Sequence, residues 1–373
     1  MSKIHIALVG GQPAPVYHGI IATNPDKVIY VYSEEVENSL SALRAEINAV
    51  EAEQLQPLSP TNPIEIENVA CYLAEKYKDD EIVVNISSGL KSWSHIFGYI
   101  FQERANAAVV YMDQNNVLWN YKTKKSSSDF TFDMFTLFRL YGNPLERFAK
   151  FSDYSESDKE VAGQIEGIRK VNIRDFNKLL ACPEDEFKSD LHNNRRGAFT
   201  LESGSCVKWE KPSKGRNDAV VKIYLQNRYG GDEVELESPH ALELAFNSGW
   251  FEYKIASILS KWKSAKDICL NCRFPFDDKH DKNEVDIIIN TGNKLLFVEC
   301  KTQIYSSTDI DKFRAVVKKY GGMGAKALFV TYYAKKDMEK QKCEEHGIIE
   351  YSLEDGRDKL LQILNNELNK INA

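Results

Sequence analysis

Two strand-like segments in the last third of the sequence place acidic residues and a lysine where they could act together. In NKLLFVECKTQ (293–303), the apolar run 295–298 is followed by Glu299 and Lys301, two positions apart. Side chains of a strand alternate between its two faces, so Glu299 and Lys301 project from the same side. The preceding apolar segment, EVDIIIN, carries Asp286 near its start, and the turn TGN joins the two segments. If the two strands pair antiparallel, Asp286 lies next to Glu299.

These residue types suit metal-dependent hydrolysis of a phosphodiester. Carboxylate oxygens are hard ligands for Mg²⁺ or Mn²⁺, and a nearby ammonium group can position the attacking water or neutralise developing charge. Glu252, in the upstream helical pattern GWFEYKIASIL, supplies a further carboxylate. The simpler interpretation is an exposed strand face with salt bridges, which E-x-K patterns commonly form. The apolar run before Glu299 argues against it, because charges that follow a buried strand are costly unless they are paired or used.

Two loops of small residues follow predicted strands in the first third of the sequence and precede predicted helices. The loop after IALVG contains Gly10, Gly11, Gln12 and Pro13, and the loop after EIVVNIS contains Ser87, Ser88, Gly89 and Lys91. Ligands of open α/β sheets bind beyond the carboxyl ends of strands, where small residues admit a ligand and helix N-termini attract phosphate. Any βα loop can contain Gly and Ser, but two such loops together with a lysine favour phosphate binding. Asp113 and Asn115, after the strand AAVVYMD, are further candidates for the same face.

Alternating strand and helix patterns position these groups. Residues 1–145 contain repeated β-α units, which predict a Rossmann-like α/β domain with a mainly parallel sheet. No G-x-G-x-x-G follows the first strand, so a dinucleotide site is not expected. Residues 146–235 read as a connecting region with some β structure. Residues 236–373 combine a helix pattern interrupted near Gly249, the strand pair that carries Asp286 and Glu299, and further helices and strands, which predicts a second α/β domain.

The second α/β domain resembles the PD-(D/E)xK nucleases, which have a restriction-endonuclease-like fold. The resemblance rests on the D-x(n)-E-x-K constellation, although Val285 stands where the name has proline, and Gln303 gives the E-x-K-x-Q form of some subgroups. It implies a catalytic set of Glu252, Asp286, Glu299 and Lys301. It also implies metal contacts from Asp286, Glu299, the backbone carbonyl of Cys300 and Glu252.

The first domain resembles the CRISPR-associated Rossmann-fold (CARF) domains. NISSGLKSW is similar to their second ligand loop, and VGGQPAPV lies where they have their other ligand-contacting turn. The resemblance implies that a homodimer binds a cyclic oligoadenylate through Gly10, Gly11, Gln12, Pro13, Ser87, Ser88, Gly89 and Lys91. Together the two resemblances imply a Mn²⁺- or Mg²⁺-dependent endonuclease of type III CRISPR antiviral defence. They imply activation by a cyclic oligoadenylate, expected to be cyclic tetra-adenylate, and cutting of single-stranded DNA or RNA or nicking of supercoiled DNA.

Two other functions stay open from the sequence. A nucleotide-responsive regulator would share the Rossmann half, but it should end in a helix-turn-helix with a basic recognition helix, and none is visible. A restriction or repair nuclease of the PD-(D/E)xK type would share the other half without control by an oligoadenylate.

Composition and cysteine content indicate the cellular compartment in which the protein works. The chain has 373 residues, a formal net charge of −7 and seven scattered cysteines, an odd number that predicts reduced thiols rather than a disulfide framework. Cys269 and Cys272 read as packed thiols, because a structural zinc would need four ligands. No apolar run approaches the ~20 residues of a membrane span, and no signal-peptide pattern opens the sequence. We therefore expect a cytoplasmic protein with no membrane partner.

Overall fold

The structure is a computed structural model. It describes residues 1–47, 50–113, 116–127, 130–181, 191, 193–212, 218–275, 283–292, 294–302, 306, 308–321 and 325–369. The strands are β1 (Lys3–Leu8), β2 (Lys27–Val31), β3 (Glu51–Gln54), β4 (Glu81–Asn85), β5 (Ala107–Met112), β6 (Leu118–Asn120), β7 (Lys125–Ser127), β8 (Arg147–Lys150), β9 (Arg196–Thr200), β10 (Cys206–Glu210), β11 (Ala219–Asn227), β12 (Gly230–Ser238), β13 (Asp267–Arg273), β14 (Glu284–Asn290), β15 (Leu295–Lys301), β16 (Lys326–Thr331) and β17 (Ile349–Ser352). The α-helices are α1 (Pro13–Thr23), α2 (Glu37–Glu46), α3 (Pro63–Lys76), α4 (Lys91–Gln102), α5 (Met134–Leu140), α6 (Glu156–Arg169), α7 (Ile173–Leu180), α8 (Ala241–Ala245), α9 (Gly249–Leu259), α10 (Thr308–Tyr320), α11 (Asp337–Glu345) and α12 (Arg357–Asn369).

The N-terminal sheet has the order β3-β2-β1-β4-β5-β6-β7. Its first five strands in the sequence pair parallel, and β6 and β7 add an antiparallel edge. Successive residues of β1 face opposite sides: Ile6 packs with α3 and α4, and Ala7 packs with α1 and α2. This arrangement confirms the predicted Rossmann-like domain with helices on both faces of a mainly parallel sheet.

Two further sheets form the rest of the molecule. The strands β9 to β12 make a four-stranded antiparallel sheet in the order β12-β11-β10-β9. A six-stranded mixed sheet has the order β17-β16-β15-β14-β13-β8, with β14 and β15 antiparallel and β15, β16 and β17 parallel. The strand β8 precedes the four-stranded sheet in the sequence, yet it pairs with β13 at the edge of the six-stranded sheet.

The helix α5 joins the N-terminal domain to the six-stranded sheet. Its residues Met134 and Phe138 belong to the same buried cluster as Phe274 and Phe297 of that sheet region. The rings of Phe138 and Phe274 meet edge to face with centroids 5.0 Å apart. The two domains therefore share a continuous apolar contact through this helix.

Two predicted helices differ locally from their sequence patterns. The long pattern interrupted near Gly249 is two helices, α8 and α9, because Asn247 and Ser248 adopt left-handed backbone conformations with φ of 52° and 69°. The apolar spacing of SEEVENSLSALRAEINAVEAE predicts a helix that opens on Ser33. This helix begins with a short 3₁₀ turn, Glu34–Val36, before α2, and the Ser33 side chain makes no capping hydrogen bond. Among the described residues, no helix has the length and apolar character needed to cross a bilayer.

Candidate active site and ligand loops

The strand pair β14–β15 opens at the end that carries the acidic residues. Its antiparallel ladder ends where Ile287 faces Val298. Beyond that point a side chain replaces the backbone partner: Oδ2 of Asp286 accepts a hydrogen bond from the N–H of Cys300 at 2.7 Å. This bond fixes the Asp286 carboxylate beside the end of β15.

Lys301 lies between two carboxylates. Its Nζ is 2.7 Å from Oε1 of Glu299 and 3.9 Å from Oδ2 of Asp286, so Glu299 and Lys301 do project from one side of the strand. Burial alone would lower the pKa of Lys301, but the charges of Asp286 and Glu299 outweigh it and raise that pKa above its ordinary value. Lys301 is therefore an ammonium cation at physiological pH.

Glu252 comes from the first turn of α9, and its carboxyl group is electrostatically coupled to the same cluster. The residue is 8% exposed. Burial raises the pKa of Glu252 well above its ordinary value, and the charge of Asp286 raises it further, against the lowering effect of Lys301. The structure thus brings together all four residues that the sequence suggested for catalysis.

A cavity of about 510 Å³ opens onto this cluster. It is lined by charged residues of both signs, by two asparagines and by a smaller apolar part. The charged residues are Arg147, Lys211, Glu243, Glu252, Arg273, Glu284, Asp286 and Lys301. Such a lining accommodates a charged substrate better than an apolar one.

Glu243 of α8 is a cavity residue that the sequence patterns did not single out. Its Oε1 accepts hydrogen bonds from the Tyr154 hydroxyl and from the Asn271 amide. Asn271 adopts a left-handed conformation with φ of 51°, within a register irregularity of β13. The negative charge of Glu243 contributes to raising the pKa of Glu252. A glutamate inside the apolar helical run HALELAF was the only signal in the sequence.

The donor set of the cluster fits a hard divalent cation. The carboxylates of Asp286 and Glu299 outnumber the ammonium group of Lys301, and the carboxyl group of Glu252 adds further oxygen ligands. N–H and C=O of one strand residue point to the same side, so the carbonyl of Cys300 points towards the β14 side, as its N–H does. Within the described part of the chain, no three His, Cys, Asp or Glu side chains are already drawn together as a metal-binding group. The Lys301 ammonium takes up the space between Asp286 and Glu299.

The two ligand loops of the N-terminal domain touch each other at the carboxyl ends of β1 and β4. The N–H of Gly10 donates to Oγ of Ser88 at 3.1 Å. A Cβ on Gly10 would lie 2.5 Å from the backbone nitrogen of Gly89, whereas a Cβ on Gly11 would meet nothing within 4 Å. Gly89 has φ of +77°, which favours glycine. The loops therefore need glycine at positions 10 and 89, and Gly11 borders open space.

Other suggested ligand residues border the same surface or support it. Pro13 starts α1, and Gln12 Oε1 accepts a hydrogen bond from the Tyr141 hydroxyl at 2.8 Å. Lys91 is exposed at the first position of α4. Ser87 Oγ accepts a hydrogen bond from the N–H of Met112 at 2.7 Å, so this hydroxyl oxygen already holds the end of β5.

Asn85 supports the second loop, and sequence reasoning missed it. Its Oδ1 accepts from the N–H of Ser87 at 3.0 Å, and its Nδ2 donates to the carbonyls of Pro15 and Val16 at 3.4 Å each. This fully buried amide ties the second loop to the first turn of α1. Asp113 accepts hydrogen bonds from Val117 and Trp119 in the β5–β6 hairpin. Asn115 and Gln303 lie outside the described residues.

The fold and the site define a protein with a Rossmann-like ligand-binding domain and a restriction-endonuclease-like nuclease domain. Residues 4–137 match the family model of the Card1 CARF domain. Residues 241–368 match the family model of the Card1-like endonuclease domain. The N-terminal part of the chain is thus a CARF domain of the Card1 type and the C-terminal part a Card1-like endonuclease domain, which confirms both resemblances drawn from the sequence.

Solved structures with the same architecture have low sequence identity to this chain. Can2 from Sulfobacillus thermosulfidooxidans, in complex with cyclic tetra-adenylate, is 17% identical over 98% of each chain, with a TM-score of 0.66. Protein VC1899 from Vibrio cholerae is 15% identical over 98% of this chain and 96% of its own, with a TM-score of 0.70. A type III CRISPR defence DNA nuclease activated by cyclic oligoadenylate is 15% identical over 94% of this chain and 50% of its own, with a TM-score of 0.56. At these identities the likeness establishes the fold. No curated protein matches the sequence.

Proposed function

We propose that this protein is an endonuclease of type III CRISPR defence that cuts single-stranded DNA or RNA when a cyclic oligoadenylate binds its CARF domain. The observation that carries the proposal is the cluster of Asp286, Glu299 and Lys301, of which Asp286 and Lys301 line a charged cavity, in a chain that also has a CARF domain. Cyclic tetra-adenylate, the ligand of the related Can2 structure, is the activator that we propose. Nicking of supercoiled DNA is a further activity to test.

In the proposed mechanism, Asp286, Glu299, the carbonyl of Cys300 and Glu252 would hold Mg²⁺ or Mn²⁺. When bound, the cation supplies Lewis-acid activation of the scissile phosphate and of a water molecule. The charges of Asp286 and Glu299 raise the pKa of Lys301, so it carries its proton at physiological pH. Its ammonium group therefore acts by orienting the attacking water and by stabilising negative charge on the phosphate oxygens.

Glu252 has a different role from Asp286 in this proposal. Burial keeps its pKa raised, so its carboxyl group holds a proton more readily than an exposed glutamate does. A cation held by Asp286 and Glu299 would favour the ionised form of Glu252. The protonation state of Glu252 would therefore depend on whether a cation is bound.

The proposed sensor site comprises the residues of the two touching loops. These are Gly10, Gly11, Gln12, Pro13, Ser87, Ser88, Gly89 and Lys91. The N-terminus of α4, which has no side-chain cap, together with the exposed Lys91 at its first position, suits the phosphates of the ring. We propose that a homodimer binds one ring, since a cyclic tetranucleotide can have two-fold symmetry and an isologous dimer presents matching loops to each half.

We further propose that residues 1–145 form the sensor, 146–235 the connecting region and 236–373 the nuclease domain of a cytoplasmic protein. The strand β8 belongs to the connecting region in sequence and to the nuclease sheet in space. Motion between sensor and nuclease would pass through this part of the chain.

The deciding experiment incubates the protein with labelled single-stranded DNA and RNA, with and without cyclic tetra-adenylate, in Mn²⁺, Mg²⁺ or EDTA. Cutting that requires both the ring and the cation supports the proposal. Cutting that is indifferent to every cyclic oligoadenylate identifies an unregulated nuclease instead.

Light scattering and a ligand titration test the proposed dimer. A protein that stays monomeric with the ring, or a stoichiometry of one ring per chain, contradicts the dimer.

A further inference from the structure

Two arginines face each other at the edge of the active-site cavity. In the antiparallel pairing of β8 with β13, Arg147 is the direct partner of Arg273, and both side chains line the cavity. Like charges in directly opposite positions of an antiparallel pair destabilise a sheet. The pair therefore concentrates positive charge at the wall of the cavity.

The charge of this pair is only partly compensated. Arg273 donates from Nε to Oε1 of Glu284 at 2.8 Å and forms an ion pair with it. Arg147 is exposed and forms no ion pair with any of the residues that the structure describes. One guanidinium group, with five donors in a fixed planar fork, is therefore available at the cavity wall.

The two lysines that line the cavity already have hydrogen-bonding partners. Lys301 is bonded to Glu299 at 2.7 Å. Lys211 is 2% exposed, and its Nζ donates to the carbonyl of Leu191. The arginine pair is thus the part of the lining best suited to an incoming anion.

We propose that Arg147 and Arg273 form a subsite for a phosphodiester group of the nucleic acid strand that enters the cavity. This inference rests on the proposed nuclease function, because the strand bound is the substrate. Guanidinium groups recognise phosphate oxygens in pairs of parallel hydrogen bonds. The subsite holds a phosphate beside the one that is cut, and the Asp286–Lys301 cluster acts on its neighbour. Because Arg147 belongs to β8, the connecting region contributes directly to substrate binding.

The first test measures strand binding separately from cutting. Labelled single-stranded DNA and RNA are titrated with protein carrying Asp286→Asn, with cyclic tetra-adenylate present, at several salt concentrations. Adding Arg147→Ala should weaken binding about tenfold and make the slope of log affinity against log salt less negative by about 0.7, the value for one lost phosphate contact on a single strand. Lys150→Ala is the matched control: the residue is an exposed cation of the same strand but does not line the cavity.

A second measurement makes the subsite testable without a nucleic acid. Inorganic phosphate should raise the Tm of the unmodified protein and of Lys150→Ala more than that of Arg147→Ala, with chloride at equal ionic strength as reference. Equal effects on all three proteins, together with unchanged strand affinity and salt slope in Arg147→Ala, would overturn the subsite. If the unmodified chain never cuts any strand, the proposed function fails, and the phosphate measurement still decides whether the arginine pair binds an anion.

Discussion

The hydroxyl group of Tyr141 donates a hydrogen bond to Oε1 of Gln12 at 2.8 Å. Tyr141 is the C-terminal cap of α5, and one turn earlier Phe138 of the same helix is buried against Phe274 of the nuclease sheet. A residue of the first ligand loop is therefore one hydrogen bond away from a helix packed into the nuclease core. We therefore expect a shift of Gln12 on ligand binding to reach that core through α5.

We predict that Tyr141→Phe weakens activation. Removing the hydroxyl frees Gln12, and a lost hydrogen bond of about 1 kcal/mol corresponds to a roughly fivefold higher concentration of cyclic tetra-adenylate at half-maximal nuclease activity. Tyr77→Phe is the matched control, because it removes a hydroxyl bonded to Glu53 at 3.1 Å, away from the ligand loops. An unchanged activation midpoint in Tyr141→Phe would exclude this contact from the signal path.

Substitutions in the carboxylate–lysine cluster should separate metal binding from turnover. Asp286→Asn and Glu299→Gln each remove a charged ligand, so we expect Mn²⁺ binding measured by calorimetry and nuclease activity to be lost together. Lys301→Ala should lower the cutting rate at least ~100-fold while Mn²⁺ still binds, because it removes a stabilising cation but no metal ligand.

The control for this series is Lys261→Ala, an exposed lysine of the same domain. It should cut at the wild-type rate. Wild-type cutting by Asp286→Asn in Mg²⁺ or Mn²⁺ would show that the active site lies elsewhere.

Short-range rules were sufficient to predict the geometry around Lys301. Alternation along β15 predicts that Glu299 and Lys301 share a face, and the turn between the two strands predicts that Asp286 comes alongside. The break near Gly249 was visible because a glycine follows Asn and Ser, residue types that tolerate left-handed or turn conformations.

Contacts that depend on tertiary packing could not be predicted from the sequence. Tyr154 and Glu243 are 89 positions apart in the sequence, and no pattern in either segment indicates that they meet. In β13, strict alternation would place Cys269 and Asn271 on one face. The left-handed Asn271 breaks that alternation, so that Cys269 and Cys272 are both buried while Asn271 lines the cavity. A strand pattern alone does not reveal such an irregularity.

Gly10 and Gly11 offer a paired test of the ligand loops. A Cβ on Gly10 would press against Gly89 and Ser88, so Gly10→Ala should force the loops apart, lower stability by about 1–3 kcal/mol and weaken binding of cyclic tetra-adenylate. Gly11→Ala should fold with the wild-type Tm, since its Cβ meets open space. It should weaken binding only through contact with the ring. Calorimetry and thermal melts on both variants check this, and equal Tm values would contradict the loop contact.

His5 is a buried histidine in β1 whose environment keeps it neutral. Its Nδ1 lies 2.8 Å from Oγ1 of Thr23. The Thr23 hydroxyl donates its own proton to the carbonyl of Gly19 at 2.8 Å, so it accepts from Nδ1–H of His5. Nε2 of His5 is buried without a partner among the described residues. Burial accordingly lowers the pKa of His5 to about 3.

This environment makes stability depend on pH with a defined sign. Protonation of His5 is unfavourable only in the folded state, so its contribution is fully present above pH ~6.5 and falls as the pH drops towards the folded-state value; at pH 5 about 2 kcal/mol is lost. His5→Asn keeps a donor for Thr23 and does not titrate, so its free energy of unfolding should change less between pH 7.5 and 5, by about that amount. Urea unfolding at both pH values measures the difference. His95→Asn, at an exposed position of α4, should retain the wild-type dependence, and a wild-type loss in His5→Asn would show that other groups cause it.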